Sequence, residues 1–296
     1  MMFKILCLLL VLLQVPLVQA KSYKDIFYGT HEAGESPRPL VVWLHGCTQS
    51  SREFLELTQI QNITESVKPL IYAPEQRFFG GPLKCWNWYL PSTQKRSGFL
   101  ETMVSQVRTL IANGTVDANR IYVGGFSAGG ILAAHLAFCY PDVFSGALIH
   151  SAAPYQVLKG LLPGEGREKL GEYAYRCAQR DLEDNKLKTV MVFHGTRDHI
   201  APFVEGNNVF KQAFDFFDFM DDGMKNSSMI VESQRRPDGR DVYLKKDIQI
   251  HYYAIEGMGH AWSGGEKTSR YSSPNTQSAT RLFFEKTDRF GSSFSK

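Results

Sequence analysis

A chain of 296 residues, 43% hydrophobic and 21% charged, carries enough apolar side chain to close a sizeable core and is far from the make-up of disordered or fibrous sequences. Its formal net charge is +3, with both signs interspersed and no long basic block, which excludes the electrostatic footprint of a nucleic-acid binder. After the first twenty residues no Ser/Thr/Pro-rich tract, repeat or low-complexity run divides the sequence, so one domain over 21–296 is expected.

The chain opens with Lys4, an unbroken apolar run from Ile5 to Leu13 and a small residue at Ala20, the pattern of a secretory signal peptide over 1–20. That run is shorter than the roughly 20 residues needed to span a bilayer, and no later segment approaches such a length, so no membrane anchor is expected. The residue directly after the cleavage point is Lys21, not a cysteine, which argues against a lipid anchor. Export, extracellular or periplasmic, places Cys47, Cys85, Cys139 and Cys177 in an oxidising compartment, and their even number points to two disulfides. None lies in a CxxC pair or beside a histidine at zinc-ligand spacing, so no metal site is expected. Asn62, Asn113 and Asn226 head glycosylation sequons, which matter only in a host that glycosylates.

Strand-like runs then recur from Leu40, Leu70, Ile121, Ala147, Thr189 and Ile248, and most are continuously apolar instead of alternating. That is the signature of a parallel sheet covered on both faces, and helical spacing intervenes around 51–67, 98–113 and 130–138. The stretch from Ala213 to Lys246 reads as a helix followed by a hairpin turning at "PDG", and "SSPNTQSATRLFFEK" from Ser272 reads as the last helix. The fold class is α/β, with a mostly parallel central sheet and helices on both faces. In such a sheet ligands bind beyond the carboxyl ends of the strands, so residues just after each strand are the candidates for chemistry.

Three of those positions stand out. In "IYVGGFSAGG", Gly125 and Gly129 flank Ser127 at the spacing of a tight strand-to-helix turn that leaves a serine hydroxyl exposed. Asp198 follows the strand "TVMVFH" in the loop "GTRD", and His260 follows "IQIHYYAI" in the glycine-rich "EGMGHAWSGG". The order Ser127, Asp198, His260 is the chain order of the α/β-hydrolase triad. Taken singly, Asp198 is equally well read as a turn-stabilising aspartate and His260 as a loop histidine without a role; the three together at strand ends favour chemistry. His45, His150 and His194, each at the end of an apolar strand, are assigned structural roles, and His31, His135, His199 and His251 carry no signal. An oxyanion hole needs two backbone N–H groups. One is expected from Ala128, at the positive end of the helix that starts there, and the other from Cys47 in the loop "HGCTQS".

Together "LHGCTQS", "APEQ", "CWNWY", "DANRIYVGGFSAGG", "HGTRD" and "GMGHAWSGG" resemble the secreted poly(3-hydroxybutyrate) depolymerase family of α/β-hydrolase esterases, which is related to feruloyl and acetylxylan esterases. The resemblance spans Leu44 to Gly265 and weakens over 158–188 and 213–246. It implies the α/β-hydrolase fold, Ser127 as nucleophile with Asp198 and His260 as its partners, Cys47 as an oxyanion amide, and a disulfide between Cys47 and Cys85. A second disulfide between Cys139 and Cys177 is expected beside it. Substrates would be hydroxyalkanoate polyesters or oligoesters, with feruloyl or acetyl esters of plant wall as the alternative, and the chemistry requires neither metal nor organic cofactor. Trp86, Trp88 and Trp262 fall in motifs facing the same end of the sheet and are candidates for binding a polyester chain or a phenolic ring, against a core-packing role that each fits equally well. A catalytically silent hydrolase-fold binding protein is the reading from another class.

Overall fold

The structure, a computed structural model, describes residues 23–29, 36–63, 69–76, 82–91, 93, 96–162, 166–179 and 181–287. The signal-peptide expectation over 1–20 lies outside them. In chain order the elements are β1 (Tyr23–Lys24), β2 (Phe27–Tyr28), β3 (Arg38–Leu44), α1 (Ser51–Thr58), α2 (Ile60–Ile63), β4 (Leu70–Tyr72), β5 (Glu75–Gln76), α3 (Gly98–Ala112), β6 (Val116–Phe126), α4 (Ala128–Cys139), β7 (Gly146–His150), α5 (Leu170–Ala178), β8 (Thr189–Gly195), α6 (Phe203–Asp222), β9 (Ile230–Arg236), β10 (Gly239–Leu244), β11 (Ile248–Ile255), β12 (Trp262–Ser263), β13 (Ser272–Ser273) and α7 (Ala279–Lys286). Nine strands form one sheet in the order β2-β4-β3-β6-β7-β8-β11-β10-β9. The six from β4 to β11 run parallel, and β2, β10 and β9 are antiparallel additions at its two edges.

The continuous apolar runs have the physical cause expected of them. Along β3, Leu40, Val42 and Leu44 face the core under α3, α4, α5 and α6, while Val41 and Trp43 face the core under α1 and α7. Val190 and Val192 divide from Met191 and Phe193 in the same way on β8. Both of these strands therefore have two dry faces and no polar alternation to show. Gly124 pairs with Trp43 across β6 and β3, and a Cβ there would lie 2.2 Å from the indole, so one glycine of the "VGG" run makes room for the largest side chain of the neighbouring strand.

Several expectations are refined. The helix anticipated from residue 51 breaks after Thr58, where Gln59 adopts a left-handed φ of 53° before α2 begins. The stretch 213–246 is the end of α6 and the β9–β10 hairpin, turning at Pro237 and Asp238 as expected. The last helix is shorter than expected: Ser272–Ser273 pair with Trp262–Ser263 in a small parallel ladder, and α7 starts only after Ser278, whose hydroxyl accepts the N–H of Arg281. In 158–188, where no motif was recognised, α5 packs on α4 and α6. Both disulfides are present, Cys47–Cys85 with Cα atoms 4.2 Å apart and Cys139–Cys177 with Cα atoms 4.9 Å apart, the second fastening α4 to α5. The view that no cysteine lies beside a histidine at ligand spacing is corrected: His135 precedes Cys139 by one turn of α4, and its ring nitrogen lies within 4.8 Å of both Cys139 and Cys177 sulfurs. With both sulfurs in a disulfide, no thiolate is on offer there.

Candidate active site

Ser127 sits between β6 and α4 at φ 55° and ψ −120°, a conformation sterically costly for a residue with a Cβ. The turn is held by close backbone approaches that only glycine permits. A Cβ on Gly125 would lie 2.3 Å from the carbonyl oxygen of Gly129, and one on Gly129 would lie 2.1 Å from that of Leu44 and 2.5 Å from that of His45. The two glycines of the G-x-S-x-G spacing therefore let the turn close on itself and let the start of α4 rest against the end of β3. The Ser127 N–H donates to His150 O at 3.0 Å, while its side chain caps no amide of α4.

Asp198 and His260 arrive from the ends of β8 and β11. His260 Nδ1 donates to Asp198 Oδ2 at 2.8 Å, and Asp198 Oδ1 accepts the N–H groups of Ile200 and Ala201 at 2.9 Å each. Burial works against ionisation of Asp198, but the hydrogen bond and charge of His260, with the two amides, outweigh it and hold the carboxyl below the ordinary carboxylate range. With Nδ1 donating, Nε2 of a neutral His260 is left to accept a proton. The two loops are stitched together: Arg197 N–H donates to Met258 O, Gly257 N–H to Thr196 Oγ1, and a Cβ on Gly195 would lie 2.2 Å from Met258 O. The His260 ring packs 4.8 Å from Phe126, the residue before Ser127, and edge-on to Tyr271 at 6.4 Å. Among the described residues no direct hydrogen bond joins Ser127 to His260; in unliganded enzymes such bonds are often long and tighten only when substrate is bound.

The loop after β3 is fixed from all sides. Gly46 N–H donates to Gln49 Oε1, Gln76 N–H donates to His45 Nε2, Trp86 Nε1 donates to His45 O, and Thr48 N–H donates to Leu83 O. His45 is buried, and desolvation pushes its pKa down to about 4, so it is a neutral fixture of the loop. The Cys47–Cys85 bond then ties this loop to the segment carrying Trp86 and Trp88. Ala128 is the first residue of α4, where helix amides are left without intrahelical partners and the dipole is positive.

Trp86 and Trp262 are placed otherwise than as binding faces. Both are fully buried, with indole N–H groups engaged by His45 O and Thr280 Oγ1, so they buttress the site from within the core and only Trp88 keeps partial exposure. His150 and His194 are likewise buried and hydrogen-bonded, and His194 Nε2 also lies 3.6 Å from Asp198 Oδ2. Sequence reading missed Gln49, Phe126 and Tyr271. Beside Cys47 and Tyr271 runs a polar groove of about 300 Å³, lined by Thr48, Gln49, Glu53, Glu56, Arg270 and Tyr271. Tyr271 OH and Thr48 Oγ1 meet across it at 3.2 Å.

A parallel sheet with a serine on a strained turn, an aspartate and a histidine at successive strand ends defines an α/β-hydrolase, and known proteins agree. A solved acetyl xylan esterase from Aspergillus awamori superposes with a TM-score of 0.59 at 15% identity, covering 81% of this chain and 94% of that one, a likeness of fold. The family model described as Esterase PHB depolymerase matches residues 24–160, a little under half of the chain. Ser127 lies inside the match; Asp198 and His260 lie beyond it. Poly(3-hydroxyalkanoate) depolymerase C of Paucimonas lemoignei is 35% identical over 233 residues, 75% of this chain and 54% of that protein. Feruloyl esterase B of Thermothelomyces thermophilus is 27% identical over 177 residues, 55% of this chain and 60% of that protein. The chain thus spans between half and two thirds of the length of these two relatives.

Proposed function

We propose that the protein is an exported, single-domain serine carboxylic ester hydrolase acting on hydroxyalkanoate esters, with residues 1–20 as its signal peptide. The observation that carries the reading is the 2.8 Å bond between His260 Nδ1 and Asp198 Oδ2, beside a serine held on a strained elbow. Ser127 Oγ attacks the ester carbonyl as His260 Nε2 takes its proton, while Asp198 fixes the tautomer and stabilises the imidazolium. The amides of Ala128 and Cys47 hold the oxyanion; losing one such donor costs about 3 kcal/mol. His260 returns its proton to the leaving alcohol, then activates the water that cleaves the acyl-enzyme.

The 35% identity to a polyhydroxyalkanoate depolymerase over 75% of the chain supports hydroxyalkanoates as acyl donors. A second reading, a feruloyl or acetylxylan esterase, is favoured by the polar groove beside Cys47, whose Glu53, Glu56 and Arg270 suit a hydroxyl-rich alcohol better than an aliphatic polyester. The two disulfides support export to an oxidising compartment. Initial rates on hydroxybutyrate oligomers, feruloyl esters and acetylated xylan test the assignment. Preference for the oligomers is expected, and preference for either wall ester would move it to the second reading.

A further inference from the structure

β7 ends at His150, and Ser151 turns the chain away with a left-handed φ of 46°. The His150 ring is fully buried, stacked on Trp262 with centroids 4.5 Å apart and on Phe193 at 5.6 Å. A phenyl ring would fill such a slot without the desolvation cost of two nitrogens, so the imidazole calls for another explanation than packing. Its nitrogens supply one. Ring Nε2 accepts the N–H of Ser263 at 3.0 Å, and because a backbone amide only donates, the ring proton sits on Nδ1. Nδ1 faces Ser151 Oγ at 3.1 Å, and that hydroxyl in turn reaches Ala261 O at 3.5 Å. Both contacts land on the segment immediately after His260. The main chain of the same residue holds the other partner, for His150 O accepts the N–H of Ser127 at 3.0 Å.

We propose that His150 is a positioning residue of the esterase reaction: its carbonyl holds the Ser127 elbow, its ring holds the 261–263 segment behind His260, and this one residue thereby ties the two reacting side chains together. Asp198 orients the His260 ring from the β8 side, and its other oxygen bonds the Ile200 and Ala201 amides, so it fixes the tautomer and leaves the distance to Ser127 to other contacts. A misplacement of about 1 Å between reacting groups costs on the order of 100-fold in rate. Desolvation, with His194 and His260 nearby, keeps the His150 ring neutral and Nε2 an acceptor. The proposal rests on the serine esterase reading.

The test uses the full chain and p-nitrophenyl butyrate, with circular dichroism confirming the fold. His150→Phe keeps the stacking and removes the acceptor; kcat should fall about tenfold or more with KM changed by less than about threefold. In His150→Gln the Oε1 atom reaches the Ser263 N–H, and kcat should recover to within about threefold of the parent, whereas His150→Asn, one methylene shorter, should stay low. A folded Phe variant with kcat within about twofold of the parent, or a Gln variant no better than Asn, overturns the proposal. Should the Phe variant fail to fold, the contrast between Gln and Asn decides. Absence of turnover in the parent, or its survival in Ser127→Ala, would overturn the esterase reading and the clamp with it, whereas Ser127-dependent turnover indifferent to His150 would overturn the clamp alone.

Discussion

Replacing Asp198 by asparagine separates the electrostatics of the site from its architecture. In the parent, Oδ1 accepts two loop amides at 2.9 Å and Oδ2 accepts His260 Nδ1 at 2.8 Å. Asparagine keeps an oxygen for the two amides, so the loop after β8 should hold and stability should change by less than about 2 kcal/mol. Its NH₂ group, however, faces His260 Nδ1, which can then only accept. The ring proton moves to Nε2, where it blocks uptake of the Ser127 proton, and the imidazolium loses its counter-charge. Turnover should fall by about 10³ to 10⁴, equivalent to about 4–5 kcal/mol of transition-state stabilisation. Measuring kcat on p-nitrophenyl butyrate beside urea unfolding reads both quantities in one preparation. Turnover within tenfold of the parent in a folded Asp198→Asn protein would refute the role given to the carboxylate.

Gly129→Ala places a Cβ 2.1 Å from Leu44 O and 2.5 Å from His45 O, so α4 must back away from the end of β3; we expect about 1–3 kcal/mol of destabilisation and a marked loss of turnover, and a variant matching the parent in both would contradict the close-approach account. Opening the 38-residue loop with Cys47→Ser and Cys85→Ser should lower unfolding free energy by about 4 kcal/mol in the chain-entropy picture, read as a urea midpoint that falls in the double variant but stays put in the parent without reductant. Acid should destabilise the fold, because His45, with its pKa pushed to about 4, and His135, pushed to about 3, are buried neutral by desolvation. In the unfolded chain they take up protons near 6.5, so the stability present above that value drains away as pH falls, by about 3 kcal/mol for His45 alone between 6.5 and 4. Asp198, held below the carboxylate range, gives up its share only at lower pH still. A urea midpoint constant from pH 7 to 5 would contradict this.

The parts of this molecule legible in its sequence are those written in local spacing. Parallel strands buried on both faces leave no choice but continuous apolar runs, so β3, β6, β7, β8 and β11 could be read directly, and the strand ends located Ser127, Asp198 and His260. Glycines at 125 and 129 showed because no other residue survives the approach of one backbone to another. What escaped depends on contacts between distant positions. Ser263 N–H on His150 Nε2 joins residues 113 apart, and nothing near "ALIH" announces it. Tryptophan fits a wet cleft and a dry core equally well by composition, so the burial of Trp86 and Trp262 emerged only from what surrounds them. His135 and Cys139 are one turn apart on α4, a spacing visible in the sequence but unreadable as a cluster until α5 brings Cys177 alongside.

The most direct test of the central claim is covalent. A fluorophosphonate should add once, to Ser127, as located by peptide mass spectrometry, and Ser127→Ala should retain its circular dichroism while losing both the adduct and ester turnover. A folded protein whose Ser127 stays unmodified, or a Ser127→Ala variant that still hydrolyses ester, would contradict it.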